Sequence, residues 1–192
     1  MRKLFFLVIF MMSVSIYSQE SNDTKQRHHE IKANAFNLIV FKSIDFSYEY
    51  LIDSESSIGM SALFNLQDNE DKNFEDGPYY NEKFALTPFY RRYFSSKYAW
   101  GFFLEAFAMY NLQEDYFGND YYNLETGDYY YDYSEESSSN FAFGMSIGGK
   151  FVSSKGFAFE FFGGIGRNLI TSNDNVATEL VPRLGVNLGF RF

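Results

Sequence analysis

Cysteine is absent from the 192 residues. That excludes a disulfide framework, a thiol nucleophile and a lipidated amino-terminal cysteine. Histidine occurs only as the adjacent pair His28 and His29, so later segments have no imidazole for general-base chemistry. Beyond the amino-terminal leader no run reaches 18 consecutive apolar residues, which excludes a helical membrane span. Proline is limited to three positions and tryptophan to one. Lys and Arg are missing from the whole stretch between Gln113 and Ser139. With a net charge of −9, the chain is a poor candidate for binding nucleic acid or for polybasic binding to lipid.

What the chain does have is aromatic residues, 24 Phe and 16 Tyr, and a period of two. Residues 1–18 read as a secretory leader: Arg2 and Lys3, the apolar run Leu4 to Met12, then smaller residues up to a cut near Ser18-Gln19. Cleavage removes two cations and no acid, taking the charge from −9 to −11. Residues 19–30 read as a flexible polar lead-in, and 31–192 as one domain. A metal site on His28 and His29 is the sharper alternative for the lead-in, but adjacent residues in a flexible segment make poor ligands.

Alternation then predicts eight strands. The first covers Ile31 to Val40, where Asn37 breaks parity and a bulge would restore it. Ile44 to Ile52, Ser57 to Leu66, Lys83 to Phe94, Tyr98 to Leu112, Asn140 to Phe151 and Phe157 to Leu169 follow. The eighth begins after Thr178 and ends on Phe192. Pro88 predicts a bulge in the fourth strand, and Gly163-Gly164 a bulge that re-aims Arg167 in the seventh. Short turns alternate with longer acidic loops at Gln67 to Glu82 and Gln113 to Ser139. The fold expected is all-β, an eight-stranded antiparallel up-and-down transmembrane β-barrel. About 10 residues at roughly 3.3 Å, tilted by about 40°, cover roughly 25 Å of bilayer.

One face of nearly every strand is Phe, Leu, Ile or Tyr, and the other carries the charges. An Arg or Lys facing lipid at mid-bilayer costs about 2–4 kcal/mol, so the charged face points inward. The expected lumen network is Asp45, Glu49, Glu105 and Glu160 with Arg91, Lys150, Arg183 and Arg191. Balanced signs favour a paired plug over an ion path. Tyr50, Phe94, Trp100, Phe151, Phe157, Phe190 and Phe192 fall at the short-turn ends, as an interfacial girdle would. The glycines of FGMSIGG and GGIGR lack the lysine of a phosphate loop. The acidic loops lack the spaced ligands of a calcium loop, and their tyrosines suit a recognition surface.

LTPFYRRYF before a short turn and a Gly-aromatic strand, GGIGR, and the terminal LGVNLGFRF resemble the small outer-membrane barrels of the OmpA/OmpX type. They stand nearest to Gram-negative barrel families without assigned function. The resemblance covers residues 31–192. It implies residence in the cell outer membrane, contact with its lipid, and insertion by the barrel assembly machinery, which reads the last strand through Phe190 and Phe192. The leading function is non-enzymatic: envelope structure, with recognition of a surface protein or glycan by the loops. A narrow passive pore and a membrane enzyme acting on lipid or peptide are the alternatives. A soluble lipid-binding barrel would need an apolar lumen. No cofactor and a monomeric state are expected.

Overall fold

Residues of period two pair edge to edge until no edge is left. In the structure, a computed structural model, residues 27–66, 82–122 and 129–192 are described. The strands are β1 (His29–Asn34), β2 (Ser43–Leu51), β3 (Ser56–Asn65), β4 (Glu82–Tyr93), β5 (Gly101–Tyr122), β6 (Tyr129–Val152), β7 (Phe157–Thr171) and β8 (Leu180–Arg191). Each pairs antiparallel with the next, and β8 returns to β1, closing the barrel in sequence order. Closure removes the sheet edge wherever all eight strands overlap. The leader and the acidic loop after Gln67 lie outside the described residues.

The first predicted strand is half a strand. β1 begins at His29, two residues before the expected Ile31, and stops at Asn34. Ala35–Val40 is a helical turn, α1. A bulge is therefore not what the broken parity of Asn37 signals. Asn34 caps α1: its Oδ1 accepts from the N–H groups of Phe36 at 3.1 Å and Asn37 at 3.3 Å. The spacing of Asn34 and Asn37 is that of a cap and its first turn, and both amides donate to Asp45 Oδ2.

The strands are staggered. β1 meets β8 only from Glu30↔Arg191 to Asn34↔Asn187, so the upper half of β8 has no β1 partner. The Asn34 side chain takes over there, accepting from Val186 N–H at 3.2 Å and donating to the Leu184 carbonyl at 3.1 Å. Even-numbered residues of β8 thus face the seam. Pro182 belongs to that series and has no N–H to leave unpaired. Asn34→Ala is expected to cost about 2 kcal/mol, a lost cap plus lost seam bonds. Chemical denaturation measures it, and a change below about 0.5 kcal/mol would contradict the seam role.

Two predicted bulges are misplaced. Pro88 sits opposite Met60 in an unbroken β3–β4 ladder. The β4–β5 register also agrees on either side of it, Leu86↔Tyr110 and Phe89↔Phe107, and shifts instead between Glu82 and Phe84. Arg167 is not re-aimed: β7 and β8 keep one register from Phe157↔Phe190 to Arg167↔Leu180. It points outward at the rim and pairs with Glu179 at 2.5 Å. Nor is Gln113 to Ser139 simply a loop. β5 and β6 pair without a break out to Tyr122↔Tyr129, far beyond Glu82 of β4 and Thr171 of β7, as a two-stranded hairpin.

Large and small residues interlock in the lumen. Phe89, Phe103, Phe107 and Phe162 point inward and are buried. Gly59 lies under Phe89, Gly144 and Gly166 under Phe107, Gly148 under Phe103 and Gly185 under Phe162. A Cβ at Gly59, Gly144, Gly148 or Gly185 would overlap the facing ring, so these glycines make room for aromatic filling.

Candidate functional site

The middle of the lumen holds a continuous set of ion pairs, and the register builds much of it. Arg91 stands opposite Glu105, Lys150 opposite Glu160, and Glu30 opposite Arg191. Each couple points inward by strand parity, so opposite charges face each other across one rung.

Glu49 is the hub. Its carboxylate accepts from Lys32 Nζ, from Arg91 at 2.9 Å, Lys150 at 2.8 Å, Ser57 Oγ at 2.6 Å and the Tyr93 hydroxyl at 2.5 Å. Glu160 accepts from Arg91 at 2.6 Å, Lys32 at 2.9 Å and Asn187 Nδ2 at 2.9 Å. Glu105 binds Arg91 Nε at 2.6 Å and also Arg183. Glu30 takes Lys150 at 2.8 Å and Arg191 Nε at 2.7 Å. Arg191 then donates to the carbonyls of Tyr98 at 3.0 Å and Ala99 at 2.8 Å. The β4–β5 connection is thereby pinned across the short-turn end.

Glu30 and Glu49 face each other directly, which would be repulsive alone. Lys150 bridges them, and Lys32 lies 3.4 Å from Glu30 on the other side. Aromatic faces complete the shell: the Arg91 guanidinium is 4.4 Å from the ring centroids of both Phe89 and Phe103. The Arg183 guanidinium is 5.0–5.4 Å from those of Phe162, Phe107 and Phe89. Arg suits such a site, because it is weakly hydrated and stacks as well as pairs.

Seven of the eight residues expected in the network are in it. Asp45 is not: it sits nearer the long-loop end, held at 3.0 Å by Asn34 and 2.9 Å by Asn37. The reason is the helical turn, which carries two amide donors to it. Glu30 and Lys32, absent from the expected set, are members. Parity was the available signal for both: Lys32 shares its face with Asn34, and Glu30 lies two residues before it.

The site is dry. Glu49, Glu105, Lys150 and Glu160 are 0% exposed, Lys32 and Arg91 1%. A water-filled channel would leave such side chains wet. Toward the long loops, amides continue the filling: Asn140 donates to Asn111 at 3.0 Å, Asn111 to Asn168 at 3.0 Å, and Gln113 to Thr178 at 2.9 Å. Below α1 a partly open pocket of about 20 Å³, lined by Asp45, Ser61, Thr87 and Arg183 among others, has room for one water. The arrangement is a paired electrostatic plug, with Glu30, Glu49, Glu105 and Glu160 each committed to cations.

At the short-turn end, Tyr50, Phe94, Phe151, Phe157, Phe190 and Phe192 are all exposed, and Trp100 packs edge-on to Phe151 at 5.3 Å. Phe192 forms the lowest rung of the closing seam. Its N–H donates to the His29 carbonyl at 2.8 Å and its carbonyl accepts from His29 N–H at 3.1 Å. Phe190 lies opposite Ile31 and Phe157. The imidazoles diverge in partners: His28 Nδ1 meets Tyr98 OH at 2.9 Å and His29 Nδ1 meets Tyr48 OH at 2.7 Å. No protein-family model, curated protein or solved structure matches this chain.

Proposed function

We propose that the chain is a monomeric, non-enzymatic outer-membrane barrel with a sealed lumen, and that the β5–β6 hairpin is its recognition surface for a protein or glycan. The observation that carries this is the inversion of polarity. Ion pairs fill the interior, while Phe46, Phe143, Met145, Ile147, Phe161 and Leu184 are each about half exposed on the outside. A soluble monomer rarely exposes a contiguous apolar patch above a few hundred Å². A band running around a barrel calls for hydrocarbon as its solvent.

Charge marks the edges of that band. Exposed pairs stand at its rims, Arg92 with Glu55 at the short-turn end and Arg167 with Glu179 at the other. The β7–β8 ladder from Phe157↔Phe190 to Arg167↔Leu180, at about 3.3 Å per residue and a tilt of about 40°, covers about 25 Å. Residues 1–18 supply the export signal, and the aromatic end of β8, Phe190 and Phe192, the signal for the barrel assembly machinery. The long hairpin then faces outward. Its sequence from Glu114 to Glu136 holds carboxylates and tyrosines with no cation, a composition suited to contact at low entropy cost.

In a Gram-negative host the chain is expected in the outer-membrane fraction, migrating differently before and after boiling. Protease added to intact cells should cut within the hairpin and leave the barrel whole. Recovery in the soluble fraction after osmotic shock would overturn the membrane reading. Steady conductance in a planar bilayer would overturn the sealed lumen.

A further inference from the structure

The outer wall is not evenly bulky. On β6 and β7 the outward positions are Phe, Met and Ile almost throughout, including Phe143, Met145, Phe159 and Phe161. On β4 and β5 they include Pro88, Ala106 and Ala108. The β4–β5 register, Leu86↔Tyr110 and Phe89↔Phe107, brings Pro88 level with Ala108, and Ala106 follows opposite Tyr90. The result is a groove of about 480 Å³ in the outer face, with Pro88, Ala106 and Ala108 in its lining and Tyr48, Tyr50 and Tyr90 beside them.

The groove has a polar foot. The Tyr48 hydroxyl reaches His29 Nδ1 at 2.7 Å, and the Tyr90 hydroxyl donates to Ser56 Oγ at 3.3 Å. Arg92 follows Tyr90 by two residues on the same face. Its NH1 donates to Ser56 Oγ at 2.9 Å and its NH2 to Glu55, and the side chain is 47% exposed. Guanidinium has five N–H donors in a planar fork suited to phosphate.

An apolar trough with a cation at one end fits an amphiphile. We propose that the groove orders one phospholipid of the leaflet at the short-turn end, with a stretch of acyl chain on Pro88, Ala106 and Ala108 and its phosphate on Arg92. This rests on the membrane reading above. A second copy is the poorer occupant: a two-fold along the barrel axis would bring the two Arg92 side chains to the same level and set groove against groove, which leaves both unfilled.

The test is native mass spectrometry of the full chain, refolded in detergent micelles doped with dioleoylphosphatidylglycerol. The wild type is expected to retain one lipid. Ala108→Phe, which fills the groove and displaces about two methylenes of contact, should lower retention about tenfold. Arg92→Gln should lower it about fivefold by removing the cation. Ile165→Ala on the opposite wall should leave it unchanged. Heat-modifiable migration confirms that each variant is folded, and a variant that is not is replaced by Ala106→Leu at the same groove. Retention unaffected by both groove variants would overturn the proposal, as would a dimer lost in Ala108→Phe. Flotation with vesicles separates the two levels: a wild type that floats but retains no lipid sinks this inference alone, and one that does not float sinks the membrane reading too.

Discussion

Glu49→Gln is expected to destabilise the barrel by about 3–5 kcal/mol, the range for removing one partner from a buried ionic set. Glu49 accepts five donors from five residues, three of them cations. Glutamine keeps the size but turns a two-oxygen acceptor into half acceptor and half donor. Four glutamates then become three against Lys32, Arg91, Lys150, Arg183 and Arg191, and the three that Glu49 neutralises, Lys32, Arg91 and Lys150, are closed to bulk solvent. The reference is Glu55→Gln at the exposed rim, where an ion pair is worth about 0–1 kcal/mol. Urea unfolding in micelles, followed by the fluorescence of the single tryptophan, measures both. Equal stability of the two variants would show that the lumen relaxes or hydrates, and the plug would then not be dry.

Gly144→Ala tests the other half of the filling. Its added methyl would overlap the Phe107 ring and stand 2.5 Å from the Ile165 carbonyl and 2.6 Å from Gly166 Cα. Overpacking of this kind costs about 1–3 kcal/mol, and the upper end applies because two of the three neighbours are backbone of β7, which cannot rotate away. Phe107→Leu alone should also destabilise, since it empties part of the lumen. In combination the two should cost less than their sum, by about 1 kcal/mol, because the smaller side chain yields space to the new methyl. Strict additivity in the same unfolding assay would mean that the ring is not what excludes a side chain at position 144.

These two expectations sit differently in the sequence. That Glu49 and Gly144 point inward is readable from alternation alone, Ser47 and Glu49 against Tyr48 and Tyr50, Gly144 and Ser146 against Phe143 and Met145. That Gly144 meets Phe107, or Glu49 meets Lys150, is not. These partners come from strands β5 and β6, and their meeting depends on the stagger of the ring. Local signals also misled where two structures share one pattern. Asn34 and Asn37 fit a bulged strand as well as a capped turn, and only the missing β1 partner for the top of β8 selects the turn. The polar run from Gln113 to Ser139 looks like a loop because tyrosines and carboxylates carry no apolar stripe. Up to Tyr122 and again from Tyr129 it forms strands, because each half finds the other as a neighbour. Pro88 looked like a bulge, yet it pairs with Met60 on one side, and on the other the rungs lapse only between Leu86 and Phe89 and resume in the same register. Arg167 looked misdirected because its depth was unknown; at the rim, with Glu179 beside it, outward is a tolerable direction.

The sequence by itself determined the number of strands, the face most side chains take and the inward place of most charges. A period of two is a local property of an extended chain and survives any slip by two residues. Only the tertiary structure decided which charge meets which, that Glu30 and Lys32 join the network while Asp45 leaves it, and where small residues gather into a groove on the outer wall. Those outcomes depend on register between strands, and a slip that preserves every face exchanges every partner.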